Sequence, residues 1–174
     1  KQEQKAAGEV LGLSRVTFLD NPDSYLVPSL SLRKDIAREI RRQKPDIVIC
    51  QHPTRVLDGG YGSGHPDHMA AGEATLSAIF PTARDHMTFP ELLEEGFEPH
   101  KVAEAWIMGH PEPDLWVDIS DHLETSAKAL TCHESQMGGQ SYDQVFERMS
   151  KWRAERGKGK GMPQSDTFRR IYYR

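Results

Sequence analysis

Apolar positions along the chain repeat mainly at helical spacing, and short continuous apolar runs separate the helical segments. The helical spacing predicts five helices, over 1–11, 32–43, 66–79, 120–136 and 141–156. Short runs rich in β-branched and aromatic residues predict strands over 16–19, 46–50, 105–108 and 116–119. Alternation of helices and strands favours an α/β fold with a mainly parallel sheet.

The run 46–50, Asp-Ile-Val-Ile-Cys, is typical of a buried parallel strand, and a glycine-rich stretch follows it. In open α/β sheets, ligands bind at the carboxyl ends of the strands, so this loop is a candidate binding region. Pro66 suits the first position of the next helix, which makes His65 its N-cap. The pattern therefore places His65 and His68 at the mouth of a helix.

Length and charge narrow the range of function classes. A chain of 174 residues suits a single domain over 1–174, and its net charge of −4 with scattered basic residues does not indicate a nucleic-acid surface. The apolar runs are far shorter than the about 20 residues that cross a bilayer, so we expect no membrane span. Cys50 and Cys132 follow no disulfide or CxxC spacing, which favours a reducing, cytoplasmic setting.

His65 and His68 lie three residues apart, so they project from the same side of a helix and could share a metal site with Asp67 between them. Imidazole is a common zinc ligand. Spacing alone leaves a second interpretation open, in which His65 only caps the helix and His68 is a surface residue. The position of both histidines after a glycine-rich loop favours the functional interpretation.

The run Gly64–Gly72, Gly-His-Pro-Asp-His-Met-Ala-Ala-Gly, resembles the second signature of the PIG-L/LmbE deacetylases. Members of that family remove acetyl groups from N-acetylglucosaminyl compounds and related amides. Weaker similarity extends over most of the chain, at 3–19, 20–23, 44–48, 90–92, 117–119, 128–130, 133–136 and 168–171. The resemblance implies a Rossmann-like three-layer fold and a zinc-dependent hydrolase that acts on an N-acetylated, sugar-like small molecule.

The resemblance also implies roles for individual residues. His68 corresponds to a zinc ligand, and His65 to the histidine that polarises the substrate carbonyl or helps to protonate the leaving amine. Asp67 is expected to orient His65 and to raise its pKa. Asp23 is expected to contact substrate hydroxyls, although a turn aspartate needs no such role, and Tyr61 is expected either to gate the pocket or to pack.

The chain departs from the family pattern at one important place. An Ala-His-Pro-Asp-Asp type motif, which supplies two zinc ligands and the general base in the family, does not occur in this sequence. We expect that motif, with its strand and helix, before Lys1. Residues 1–174 alone are then expected to bind zinc weakly, to lack deacetylase activity and to be poorly stable.

Two other functions remain open at this point. One is an amidase that acts on a thiol-sugar conjugate, which uses the same chemistry on a larger acyl group. The other is a non-catalytic binding or assembly module that has lost the first metal motif. The sequence also leaves open whether the protein forms a homo-oligomer.

Overall fold

The computed structural model describes residues 1–57 and 64–173. Its α-helices are α1 Gln2–Val10, α2 Leu30–Gln43, α3 Pro66–Ile79, α4 Glu91–Glu94, α5 Leu123–Thr131, α6 Glu134–Met137 and α7 Tyr142–Gly157. Single 3-10 turns lie at Thr82–Arg84 and Ser120–His122. Its strands are β1 Ile47–Gln51, β2 Glu104–Met108, β3 Leu115–Asp118 and β4 Ser165–Tyr172.

The four strands form one mixed sheet in the order β1–β2–β4–β3. β1 and β2 are parallel, whereas β2 and β4 are antiparallel, with Glu104 opposite Tyr172 and Met108 opposite Phe168. The α/β class predicted from the sequence is confirmed. The prediction of a mainly parallel sheet is only partly correct, because the aromatic C-terminal segment forms β4 beside β2 and runs in the opposite direction.

The described residues fold into two compact units. The first contains Lys1–Phe18 and Trp116–Thr167, and the second contains the described part of Leu19–Leu115 with the segment that begins at Phe168. No α-helix among the described residues is long and apolar enough to cross a membrane. The prediction of a single domain over 1–174 stays a prediction.

The second unit is built around α2 and α3. Ser29 caps α2 by accepting a hydrogen bond from the Leu32 N–H, so the helix begins two residues before the predicted start. One face of each helix enters a shared core, whose buried members are Ala37, Ile40, Ala78, Ile79, Ala83, Leu92, Val102 and Ala105.

A buried arginine holds the irregular segment that follows α3. The Arg41 guanidinium is 1% exposed and donates hydrogen bonds to backbone carbonyl oxygens of Thr82, Ala83, Asp85, Thr88 and Phe97. Burial lowers the pKa of Arg41, and Asp85 and Glu98 oppose this effect. A planar guanidinium has five N–H donors, so it can form hydrogen bonds with carbonyl oxygens that have no partner in a helix or a strand.

Strand β1 is less buried than its apolar sequence predicts. Ile47 and Ile49 are 42% and 49% exposed, whereas Cys50 is buried. Among the described strands, β1 lies at the end of the sheet and pairs only with β2. Its parallel direction is confirmed, but the expected burial is wrong for Ile47 and Ile49, because no described residue covers the face that carries them.

In the first unit, two sequence predictions need correction. Val16–Leu19 forms no strand in the described structure. Val16 instead lies close to Gly8 of α1, and the Lys1 ammonium lies over the Phe18 ring, so these side chains contact α1 and its N-cap residue. The helix predicted over 120–136 is divided into a 3-10 turn, α5 and α6, with a break at Cys132 and His133.

The segment 133–136, which resembles the family pattern, has its described contacts within the first unit. The Ser135 N–H and hydroxyl both donate to the Glu3 carboxylate at 2.7 Å. These two bonds, with smaller contributions from His133 and the N-terminus, lower the pKa of Glu3. The contacts join α1 to the start of α6.

The position of α3 is fixed by the absence of a side chain at Gly72. A Cβ placed on Gly72 would lie 2.3 Å from the Gln51 carbonyl oxygen and 3.1 Å from the Pro53 nitrogen. Real carbon atoms do not approach a carbonyl oxygen so closely, so α3 can lie against the carboxyl end of β1 only with glycine at this position. This approach places the second turn of α3 against the end of the strand, so the first turn extends past it.

We predict that Gly72→Ala destabilises the protein by about 1–3 kcal/mol, because the added methyl group must displace α3 or the end of β1. Alanine at an exposed helix position would instead stabilise by up to about 1 kcal/mol relative to glycine. Chemical denaturation measures the difference. Glu73→Ala, on the exposed face of the same helix, is the control and should change stability by less than about 0.5 kcal/mol. An unchanged or increased stability in Gly72→Ala would contradict the predicted clash.

Candidate functional site

The first turn of α3 fixes the hydrogen bonding of His65. Its backbone is extended, with φ −73° and ψ 134°, and its Nδ1 accepts a hydrogen bond from the Asp67 N–H at 3.2 Å. Its carbonyl oxygen accepts from the His68 N–H at 3.0 Å. In neutral imidazole, an Nδ1 that accepts leaves the proton on Nε2. His65 is therefore a helix cap whose other ring nitrogen is a hydrogen-bond donor.

His65 and His68 are brought together as the sequence predicts. Both side chains are exposed, and their ring centroids lie 5.4 Å apart with the planes inclined at 44°. His68 precedes Gly72 by four residues, so the two lie on the same side of α3. Because Gly72 contacts the carboxyl end of β1, His68 lies on the side of the helix that faces this end of the strand.

The Asp67 carboxylate holds the loop between 20 and 26 against the helix mouth. One of its oxygens accepts from the Ser24 N–H at 2.7 Å, and the other accepts from the Leu26 N–H at 3.3 Å. Ser24 has a positive φ of 66°, which is unfavourable for a residue with a side chain. The two bonds to a charged acceptor offset this cost.

The described contacts of the Asp67 carboxylate are therefore made with the loop, and its backbone N–H is the group that contacts His65. Its expected influence on the pKa of His65 stays a prediction. The loop brings Asp23 to the same region, where its carboxylate accepts from the Ser24 hydroxyl at 3.4 Å and the side chain is exposed. Tyr61 lies outside the described residues.

A second pair of histidines lies at the carboxyl ends of the parallel strands. His52 follows β1 directly, His110 follows β2 after one glycine, and their ring centroids are 4.8 Å apart. Burial is the main cause that lowers the pKa of His110, and electrostatic interactions with His52 and Arg169 add to it. His110 was not among the candidates from the sequence. Only the parallel pairing of β1 with β2 brings these strand ends together.

The described residues do not by themselves fit a complete zinc site. Structural and catalytic zinc sites use at least three protein ligands. Within 1–57 and 64–173, no group of three or more His, Cys, Asp or Glu side chains is placed to hold a metal ion. The histidines described above come together in pairs, and the role of His68 as a zinc ligand stays a prediction.

Residues 1–79 match the family model described as PIG-L, GlcNAc-PI de-N-acetylase. The matched segment ends with α3, so it includes the loop around Asp23 and both histidines of the helix mouth. Over these residues the chain is similar to the PIG-L family.

Two curated relatives have names that report deacetylases. The chain is 31% identical over 135 residues to diacetylchitobiose deacetylase of Thermococcus kodakarensis, with 78% of this chain and 48% of that protein aligned. It is 28% identical over 134 residues to 1D-myo-inositol 2-acetamido-2-deoxy-alpha-D-glucopyranoside deacetylase 1 of Saccharopolyspora erythraea, with 67% and 42% aligned. The chain thus spans about half the length of these curated relatives.

A solved structure confirms the fold. N,N'-diacetylchitobiose deacetylase from Pyrococcus horikoshii, complexed with its inhibitor MPG, superposes with a TM-score of 0.83 at 23% identity. The alignment covers 98% of this chain and 62% of that one. The α/β architecture described above is therefore the architecture of a known deacetylase structure.

We predict that Asp67→Ala increases amide hydrogen exchange at Ser24 and Leu26, because both N–H groups lose their acceptor. The increase should be confined to the loop and the first turn of α3. Exchange measured by NMR or mass spectrometry tests this. Asp23→Ala is the matched control, since the described bond to the Asp23 carboxylate is a long one from the Ser24 hydroxyl. Equal protection in Asp67→Ala and the wild type would show that the carboxylate does not hold the loop.

Proposed function

We propose that this chain carries part of the active site of a hydrolase that removes an acetyl group from the amide nitrogen of an N-acetylglucosamine-like small molecule. The observation that carries the proposal is the hydrogen bonding of His65. Its Nδ1 is occupied by the Asp67 N–H, and its Nε2–H is left to act as a donor at the helix mouth. The names of the curated relatives, which report deacetylases of acetylated sugars, support the same reaction class.

Amide hydrolysis requires the help that such a donor can give. When water adds to the carbonyl carbon, the carbonyl oxygen gains negative charge, and a fixed N–H donor stabilises it. The amine nitrogen must then gain a proton before it leaves, and the base that takes a proton from the attacking water can return it. In our proposal the His65 Nε2–H is the donor that stabilises the carbonyl oxygen, while the cap geometry holds the ring in place.

We propose zinc as the cofactor and His68 as one of its ligands. The chemistry of the donor is suitable, because an exposed imidazole at a helix mouth can coordinate zinc. The described residues supply no complete ligand set, so the proposal requires ligands that are not among them. This requirement agrees with the absence from the sequence of the family motif that supplies the other two ligands.

We propose that the loop clamped by Asp67 contributes to substrate recognition. Asp23 is exposed on that loop, and an ionised carboxylate can accept hydrogen bonds from sugar hydroxyls. The names of the matched relatives give different sugar-linked substrates, so the proposal specifies a substrate class and no single compound.

Two alternatives predict different measurements. An amidase for a thiol-sugar conjugate would release a larger acyl group and little acetate. A binding or assembly module would show neither zinc nor turnover. No described contact favours either of them over the deacetylase.

We predict that His68→Ala abolishes zinc binding at this site in the full-length protein, because too few protein ligands remain. Metal analysis of the purified protein gives the zinc content per chain. His65→Ala is the matched control, since it removes the neighbouring imidazole and should keep the zinc of the wild type. Full zinc occupancy in His68→Ala would rule out His68 as a ligand.

We predict that His65→Ala lowers kcat by about 10²–10³-fold, which is the typical cost of losing one donor to a developing oxyanion. Acetate release from an N-acetylglucosamine compound measures this rate. The zinc content and the fold of the variant should be unchanged, so that the loss is assigned to the chemical step. A variant with wild-type kcat would exclude His65 from catalysis.

A further inference from the structure

His52 and His110 form a pair that the family resemblance did not assign. They follow adjacent parallel strands, and their rings meet edge to face with centroids 4.8 Å apart and planes at 75°. His52 follows Gln51, whose carbonyl oxygen is the atom closest to Gly72 of α3. Since His68 lies on the same side of α3 as Gly72, the pair lies at the strand ends that the helix mouth faces.

The protonation of His52 follows from its contact with the backbone. Its Nδ1 lies 2.6 Å from the Thr54 carbonyl oxygen. A carbonyl oxygen can only accept a hydrogen bond, so Nδ1 must carry a proton. The Thr54 N–H also approaches Nδ1, at 3.3 Å, but this contact is longer and therefore weaker than the one to the carbonyl oxygen. In the neutral ring, Nε2 of His52 is then unprotonated and acts as a hydrogen-bond acceptor.

His110 has the opposite tautomer. Its Nδ1 accepts a hydrogen bond from the Glu112 N–H at 3.0 Å, so the proton of the neutral ring is on Nε2. Burial, together with the nearby His52 and Arg169, lowers the pKa of His110 and favours this neutral form. The two rings therefore present one acceptor and one donor through their Nε2 atoms.

This combination argues against a metal ion shared by the two rings. To bind a metal through Nε2, neutral His110 would have to carry its proton on Nδ1. That proton would then face the Glu112 N–H, and two donors would oppose each other. An adjacent donor and acceptor are instead suited to hydroxyl groups, each of which donates one hydrogen bond and accepts others.

We propose that His52 and His110 form a hydroxyl-binding subsite for the sugar-like substrate, in which one hydroxyl donates to His52 Nε2 and a neighbouring hydroxyl accepts from His110 Nε2–H. The inference rests on the proposed function for the class of substrate. It adds two residues that follow different strands, and it assigns one as a hydrogen-bond acceptor and the other as a donor. A partly buried polar pair of this kind discriminates against analogues that lack the matching hydroxyl, because its own groups would stay unpaired.

The test is equilibrium binding of glucosamine to the full-length protein by titration calorimetry or NMR. Glucosamine has no acetyl group, so its binding is independent of turnover. His52→Phe and His110→Phe should each weaken binding by about tenfold, the usual cost of one lost hydrogen bond of this kind. His52→Gln and His110→Gln, which retain polar atoms, should restore part of the affinity. His86→Phe removes an exposed histidine in the segment held by Arg41 and should leave binding unchanged.

Deoxy analogues of glucosamine identify the hydroxyls by a double-mutant cycle. For an analogue that lacks the hydroxyl bound by His52, His52→Phe should cause no further loss. NMR spectra of each variant confirm that it is folded, and ¹⁵N shifts of the wild-type imidazoles test the two tautomers directly.

The outcomes separate this inference from the proposed function. Glucosamine binding that depends on both histidines, in a protein that releases no acetate from N-acetylglucosamine compounds, would support the subsite and overturn the deacetylase. Acetate release with unchanged glucosamine affinity in both Phe variants would overturn the subsite alone. Two further results would overturn the subsite. One is that the wild type shows no saturable binding of glucosamine. The other is that the Phe variants lose bound zinc but keep their affinity for the sugar.

Discussion

The approach of α3 to the end of β1 at Gly72 is the constraint on which the candidate site depends. With no Cβ at this position, the helix lies against the Gln51 carbonyl, and its first turn extends past the strand end. His65 and His68 are on that turn, and His52 follows the strand directly. A shift of α3 would change the distance between the helix mouth and the strand ends. Backbone packing at Gly72 therefore sets the relative positions of these histidines.

Electrostatic contacts add a further segment to this arrangement. The Asp67 carboxylate accepts from two N–H groups of a loop more than 40 residues earlier in the chain and so holds that loop at the site. The same residue, through its own N–H, fixes the tautomer of His65. Any residue except proline could supply that N–H, so the contacts with the loop are what an aspartate side chain adds at this position.

The histidines of the site differ in what their hydrogen bonds allow. His65 and His110 each have an accepting Nδ1 and a donating Nε2, whereas His52 has the reverse. The backbone selects these states through groups two residues further along the chain in each case. Described residues therefore provide hydrogen-bond donors and acceptors for a substrate, while a three-ligand metal site requires more than they supply.

Local sequence determined much of this protein. Helical spacing, the Ser29 cap, Pro66 and the HPDH signature account for α2, α3, the helix mouth and the family, because these signals act within one or two turns. Contacts between distant segments were decided only by the tertiary structure. The antiparallel entry of β4, the exposure of Ile47 and Ile49, the clamp between Asp67 and the loop, and the meeting of His52 with His110 all depend on which strands and loops become neighbours. No local spacing encodes that choice, since it results from the packing of the whole sheet and its helices.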